Sequence, residues 1–181
     1  MKLPLQIRRY MPQDAAAWNA FVQSSANGTF LHDRRFVDYH ADRFEDHSLI
    51  AHVDDKILAV LPCNRVDNTL QSHGGLTYGG FVVGSAMTAS LMVDIFAHAR
   101  DVLLQMGITQ LAYKAVPHIF HRYPAEQDIY ALVQQGAQLV RCDLSSAIAI
   151  GQAPAMSKSK RQGVKRAQKA GIDVSETKDL A

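Results

Sequence analysis

Ser72-His73-Gly74-Gly75-Leu76-Thr77-Tyr78-Gly79-Gly80 is the stretch on which the reading of this chain turns. Four of the eleven glycines fall within these nine residues, interleaved with a histidine, a threonine and a tyrosine. Glycine gives up more backbone entropy on folding than any other residue, so two Gly pairs in one segment imply unusual φ/ψ or a close backbone approach. Strand-like residues flank it, Asn68-Thr69-Leu70-Gln71 before and Phe81-Val82-Val83 after. The segment reads as a loop at a strand edge that presents backbone N–H groups and three polar side chains. The plainer alternative is a glycine-rich hairpin with incidental polar residues.

The surrounding composition is that of an ordinary globular chain. The 181 residues suffice for a domain with a proper core, and 48% hydrophobic with 20% charged residues is typical. No apolar run reaches the length of a membrane span. The first residues, Met1-Lys2-Leu3-Pro4-Leu5, carry no apolar signal region, so no signal peptide is expected. Cys63 and Cys142 match no metal or redox spacing and are expected to be reduced, buried thiols. These features predict a cytoplasmic protein. The formal charge of +2 hides an asymmetry: residues 1–156 carry 12 Lys+Arg and 14 Asp+Glu, residues 157–181 carry 7 and 3. A mildly acidic body is followed by a basic end, which suggests an anionic partner for that end.

Outward from the glycine segment, the periodicity alternates between extended and helical. Leu5 to Arg8 reads as a first strand. Pro12 opens a helix with Trp18, Phe21 and Val22 on its buried side, ended by Asn27-Gly28. A short helix is predicted from Asp33 to Asp42. Residues 48–53 and 57–61, joined by the polar turn Asp54-Asp55-Lys56, form a β-hairpin, and 64–71 continues as a turn and strand. Met87 to Met106 is the clearest helix, stopped by Gly107. A strand at 108–116, a helix from Pro124 to Gln135 and an extended segment at 137–150 follow. Gly151-Gln152-Ala153-Pro154-Ala155 is the candidate linker, and a basic helix over 157–170 ends at Gly171, with a strand beginning at Ile172. The predicted fold class is α+β, or mixed α/β, with a largely antiparallel sheet. The predicted domains are 1–150 and a 151–181 remainder of linker, basic helix and the start of a second domain.

Candidate chemistry collects at the ends of predicted strands. His73, Thr77 and Tyr78 come from the glycine segment. Lys114 ends its strand among apolar neighbours, either to bind an anion or carbonyl or to snorkel to water. His118, His121, Tyr123 and Asp128 follow within one turn and helix start. His118 and His121 lack a third ligand at motif spacing, so no metal site is expected. Ser145-Ser146 has no G-x-S-x-G setting, and no phosphate-binding lysine loop occurs. On the basic helix, Lys158, Arg161, Lys165 and Lys169 lie along one face, opposite a thin strip of Val164, Ala167 and Ala170. That face suits phosphate groups of an RNA or a nucleotide-linked substrate, or is a solvated surface. No aromatic platform accompanies it.

Three sets of residues together resemble the FemAB-like branch of the GNAT acyltransferases. The first is Phe30-Leu31-His32, Tyr39-His40, Asp42-Arg43-Phe44 and Leu61-Pro62, with the 72–80 run; the second is Lys114, Pro117, Tyr123-Pro124 and Asp128 to Leu132; the third is Lys160-Arg161, Lys165-Arg166-Ala167 and Gly171-Ile172. The resemblance covers nearly the whole chain and is most specific in the glycine run. It implies a GNAT-like fold and transfer of an acyl or aminoacyl group from acyl-CoA or aminoacyl-tRNA to an amine, in cell-wall or polysaccharide metabolism. Acetyl-CoA is then a co-substrate, with no tightly bound cofactor, and tRNA is an implied partner. His73 and Tyr78 are the implied catalytic residues, and Gly74, Gly75, Thr77, Lys114, His118, Tyr123, Asp128, Arg161 and Lys165 the substrate-binding set. Gly84-Ser85-Ala86 stands where the family holds the cofactor pyrophosphate, with Phe81 in place of the family's Arg or Gln. The family usually has two such domains in tandem, so the chain is expected to correspond to the N-terminal one. The alternative expectation is a truncated, non-catalytic domain that binds a substrate or partner.

Overall fold

The protein is described from a computed structural model over residues 4–176. It divides after Arg141 into two compact units. Among the described residues, the first unit holds eight strands, in two four-stranded sheets. The first sheet runs β1-β3-β4-β7: Gln6–Arg9, Leu49–Val53, Lys56–Leu61 and Val82–Val83, antiparallel throughout. The second runs β2-β5-β6-β8: Glu45–Asp46, Asn64–Val66, Thr69–Gln71 and Gln110–Ala112, antiparallel except for the parallel pair β6–β8. The fold class is therefore α+β, as the patterning predicts.

The hairpin of β3 and β4 forms because its residues can bury both faces. Leu49 and Ala51 with Ala59 and Leu61 point to one core; Ile50 and Val60 point to the other. The first core is closed by helix α3, Ala89–Gln105, through Met92, Ile95, Phe96 and Leu103. The second is closed by helix α1, Ala15–Ser24, through Trp18 and Val22. A sheet covered on both sides reads as a continuous apolar run, as 57–61 does. Asp54, at the hairpin turn, takes φ +48, a conformation that aspartate tolerates better than most residues.

Helix α1 ends at Ser24, earlier than the Asn27-Gly28 stop that the sequence suggests. Asn27 instead works as a clamp on β7. Its Nδ2 donates to Phe81 O at 2.9 Å, and its Oδ1 accepts from Val83 N at 2.9 Å. Helix α2, Arg34–Asp38, is shorter than predicted. Helix α4 spans Gln127–Gln134. The predicted strand at 108–116 narrows to β8, because only Gln110, Leu111 and Ala112 find ladder partners in β6.

The predicted extended segment at 137–150 forms no strand. Leu139, Val140, Leu144, Ile148 and Ile150 are exposed, and among the described residues no ladder partner holds the segment, without which a lone strand has nothing to stabilise it. Cys142 is likewise exposed, contrary to the buried thiol expected, whereas Cys63 is buried as expected. The second unit, described from Cys142 to residue 176, contains helix α5, Lys158–Lys169. The strand start expected at Ile172 is not formed within the described residues, which end at 176. Among the described residues, no helix is long and apolar enough to cross a membrane.

Candidate functional site

The 72–80 loop leaves the end of β6 and returns to β7 alongside the residues that follow β8. Ser72 N donates to Ala112 O at 2.9 Å, Ser72 Oγ accepts from Lys114 N at 2.6 Å, and Gly79 N donates to Lys114 O at 3.0 Å. The glycines divide into two kinds. At Gly79 a Cβ would stand 2.2 Å from Ser72 O, so only glycine fits that backbone approach. Gly74 and Gly75 are exposed, and the Phe44 ring lies against them; a Cβ on Gly75 would meet Phe44 Cε2 at 2.6 Å.

His73 is the unusual residue of the loop. Its φ of +54° is uncommon for a non-glycine residue and carries strain of about 1 kcal/mol or more. The residue is 3% exposed, its ring lies 5.2 Å from Phe44 between centroids, and its Nδ1 has no partner among the described residues. Burial pushes its pKa down to about 4, with Asp46 opposing and His40 and Lys114 reinforcing the shift. At neutral pH it is an uncharged ring with an open hydrogen-bonding position. The neighbouring Asn64, also buried, accepts from Gly74 N at 2.6 Å through Oδ1, while its Nδ2 is unpartnered. Each of these orphaned polar atoms is a position that a polar ligand or water would satisfy, in or against a loop exposed at Gly74, Gly75 and Thr77.

Lys114 is tied to the loop itself. Its Nζ donates to His73 O at 2.8 Å and also to Leu76 O, and burial lowers its pKa. It clamps the loop from below. Tyr78 is buried; its hydroxyl donates to Thr29 Oγ1 at 3.1 Å, and its ring stacks on Phe120 at 5.0 Å and lies 5.8 Å from His32. Thr77 is exposed. His32, fully buried, is also pushed down to about 4, by desolvation against smaller support from the Gly79 and Thr29 backbone.

Asp128 belongs to a neighbouring buried set. Tyr113 Oη donates to Asp128 Oδ2 at 2.7 Å and accepts from Phe81 N at 2.6 Å. Desolvation raises the pKa of Asp128 above the usual carboxylate range, with the Tyr113 hydrogen bond opposing. Burial, reinforced by Asp128, drives Tyr113 well upward. His118 and Tyr123 are exposed, and His121 Nε2 lies 3.1 Å from Val116 O. No group of three metal-ligating side chains occurs among the described residues.

Gly84, Ser85 and Ala86 precede α3. Gly84 N donates to Leu58 O at 3.3 Å, and Thr88 Oγ1 caps the helix by accepting from Leu91 N at 3.2 Å. Ser85 and Ala86 are exposed. Arg161 and Lys165 lie on α5, in the second unit. The structure thus brings His73, Gly74, Gly75 and Lys114 together and places Tyr78 in the same loop, while Asp128 connects to it through Tyr113. An apolar pocket of about 200 Å³ between α3, α4 and β8, lined by Phe96, Leu103, Ile108, Leu111 and Leu132, contains none of the candidate residues. Sequence reasoning missed Asn64, Tyr113 and His32 as site-forming residues. Asn64 gives no local signal at all, since it sits at a strand start and acts ten residues away.

No protein-family model matches the chain, and no curated protein matches it. Among solved structures, the chain is similar to the ribosomal-protein-S18-alanine N-acetyltransferase from Escherichia coli, at 15% identity and a TM-score of 0.49 over 74% of this chain and 77% of that one. An aminoglycoside N-acetyltransferase in complex with CoA aligns at 14% identity and a TM-score of 0.49, covering 82% and 97%. A ribosomal-protein-alanine N-acetyltransferase from Brucella melitensis biovar Abortus 2308 aligns at 17% identity and a TM-score of 0.45, covering 81% and 98%. The FemAB-like branch finds no support among them.

Proposed function

We propose that the first unit is an amine-directed acyltransferase domain of GNAT type, with the 72–80 loop at its acceptor side. The observation that carries this reading is the neutral, buried His73 with an unpartnered Nδ1, in a loop whose Gly74 N is held by Asn64, itself unpartnered at Nδ2. In the reaction, the nitrogen lone pair of a neutral amine attacks the carbonyl carbon of an acyl thioester. The C–N bond forms, the C–S bond breaks, and the amine proton ends on the departing thiolate. His73 accepts a hydrogen bond from the amine and orients it; with a pKa of about 4 it is too weak a base to hold the proton. Lys114, Gly74, Gly75 and Thr77 fix the loop that aims it. Tyr78, His118, Tyr123 and Asp128 belong to the walls of the same region. Exposed Ser85 and Ala86, with half-buried Gly84 before them, are the positions near the start of α3 assigned to a cofactor phosphate in this reading. The donor is acyl-CoA in this reading, with aminoacyl-tRNA the alternative donor and a cell-wall or polysaccharide amine the acceptor.

A second reading is a non-catalytic domain that binds the acceptor alone. The hydrogen-bonding at α3 favours it, since Gly84 N and Leu91 N are both taken by protein acceptors. Calorimetric titration with acetyl-CoA, together with thiol release over a panel of primary amines, separates the two. Heat of acetyl-CoA binding and amine-dependent thiol release are expected, and His73→Ala is expected to lose the thiol release while keeping the acetyl-CoA heat. Amine binding with no response to acetyl-CoA would sink the transferase reading and leave the binding one.

A further inference from the structure

Helix α5 is specified by its own sequence at both ends. Ser157 is the N-cap, its Oγ accepting from Lys160 N at 3.4 Å. Gly171, at φ +75°, closes the other end, with Gly171 N donating to Gln168 O at 3.0 Å and Ile172 N to Ala167 O at 3.1 Å. These are the caps of a helix meant to be a helix. Yet no residue of α5 is buried. Its twelve residues include six Lys or Arg and no Asp or Glu, and no carboxylate side chain occurs anywhere between Asp143 and Asp173.

At 100° per residue, Lys158, Arg161, Lys165, Arg166 and Lys169 fall within less than half of the helix circumference. Arg161, Lys165 and Lys169 follow one another at i,i+4, about 6 Å apart along the axis. Like charges at that spacing destabilise a helix, and a twelve-residue helix without a packed face is marginal in water. The local signals ask for a helix; the charges oppose one. A surface that neutralises the charges resolves the conflict.

We propose that α5 is a binding face for the phosphodiester backbone of a double-stranded nucleic acid, and that the duplex stabilises the helix it binds. Phosphate repeats match a row of cations, while the absence of any aromatic residue on α5 leaves no platform for unstacked bases. A membrane surface is the weaker fit. Helices that lie in that interface carry Trp, Phe or Leu opposite their basic face, and α5 presents Lys160, Gly163, Val164 and Ala167 there. This inference does not depend on the transferase reading, because it is measured with no acyl donor present.

The experiment uses the full chain and fluorescently labelled duplexes of about 20 base pairs, in RNA and DNA arms, with anisotropy followed from about 50 to 200 mM salt. With five cations engaged, the expected slope of log K against log salt is about −4 to −5 on duplex DNA, and far-UV helicity rises on addition of duplex. Lys165→Gln with Arg166→Gln reduces that slope by about 2 and weakens binding at least tenfold, while Trp18 fluorescence reports an unchanged first unit. Equal binding of both duplexes assigns the shared phosphate backbone; preference for RNA adds its 2′-hydroxyls. No binding at 50 mM salt, a double variant that binds as well as the parent, unchanged helicity, or tighter association with phosphatidylserine vesicles than with either duplex overturns the proposal.

Discussion

The 72–80 loop and helix α5 are both polar and glycine-bearing, yet they are held in opposite ways. In the loop, the polar atoms are bound by residues far along the chain. Gly74 reaches Asn64 ten positions away, Lys114 reaches Ser72 at forty-two, and Tyr78 reaches Thr29 at forty-nine. In α5 every capping bond closes within five residues. One conformation is imposed by tertiary structure, the other by local sequence. A loop of the first kind can store strain at His73, because its surroundings over-determine it. A helix of the second kind stores none and depends on whatever surrounds it.

The sharpest way to break this comparison is acid. His32 and His73 both have folded pKa values of about 4, against 6.5 in the unfolded chain. The unfolded chain therefore binds more protons between those values. The stability that these rings contribute is complete above about pH 6.5 and is lost as pH falls toward 4. Each ring accounts for about 3 kcal/mol at the limit. Asp128 runs the other way, since its pKa is raised in the fold and the stability it adds is lost as pH rises. Urea unfolding followed by Trp18 fluorescence is expected to show a falling midpoint from pH 7 to 4.5, and His73→Asn, which tolerates the left-handed backbone, to flatten part of that fall. A midpoint independent of pH would contradict the buried, neutral state of both histidines.

Substitution of two glycines makes the contrast directly. Gly79→Ala is expected to destabilise the first unit by about 3 kcal/mol, because its new methyl meets the Ser72 carbonyl, which is backbone and cannot rotate away. Lys114→Met comes next, at about 1 kcal/mol, for the loss of its bonds to the His73 and Leu76 carbonyls. Gly163→Ala reverses the sign. Among the described residues, a Cβ there would meet nothing within 4 Å beyond its own helix backbone and chain neighbours, so it should stabilise α5 by about 1 kcal/mol, seen as added helicity, and leave the Trp18 transition unmoved. Destabilisation by Gly163→Ala would show that α5 is not governed by local propensity.

The same division explains what could be read from sequence. The β3–β4 hairpin and α3 were legible because each signal is local: alternation around a polar turn in one, a helical apolar stripe stopped by Gly107 in the other. The ends of α5 were legible for the same reason. The use of Asn27 as a strand clamp was not, because its partners Phe81 and Val83 lie more than fifty residues away. Glycine density pointed to a loop with close backbone approaches, but it could not separate Gly79, needed for a backbone contact, from Gly75, which accommodates the Phe44 ring. Lys114 stood out as a charge in an apolar strand; that it grips its own loop needed coordinates. The segment at 137–150 misled because its alternation is that of a strand, while a strand also needs a neighbour.

The contrast between the two cysteines has a practical consequence. Cys63 is buried and its thiol is pushed well upward by desolvation, whereas Cys142 is exposed. A maleimide dye added to the native chain should therefore attach at one position only, at the start of the second unit. With Trp18 as the sole tryptophan, in the first unit, the unmodified sequence already carries a matched donor and acceptor. Energy transfer between them would report how the distance from the first unit to the second responds to salt, to duplex and to acetyl-CoA, with no engineered residue.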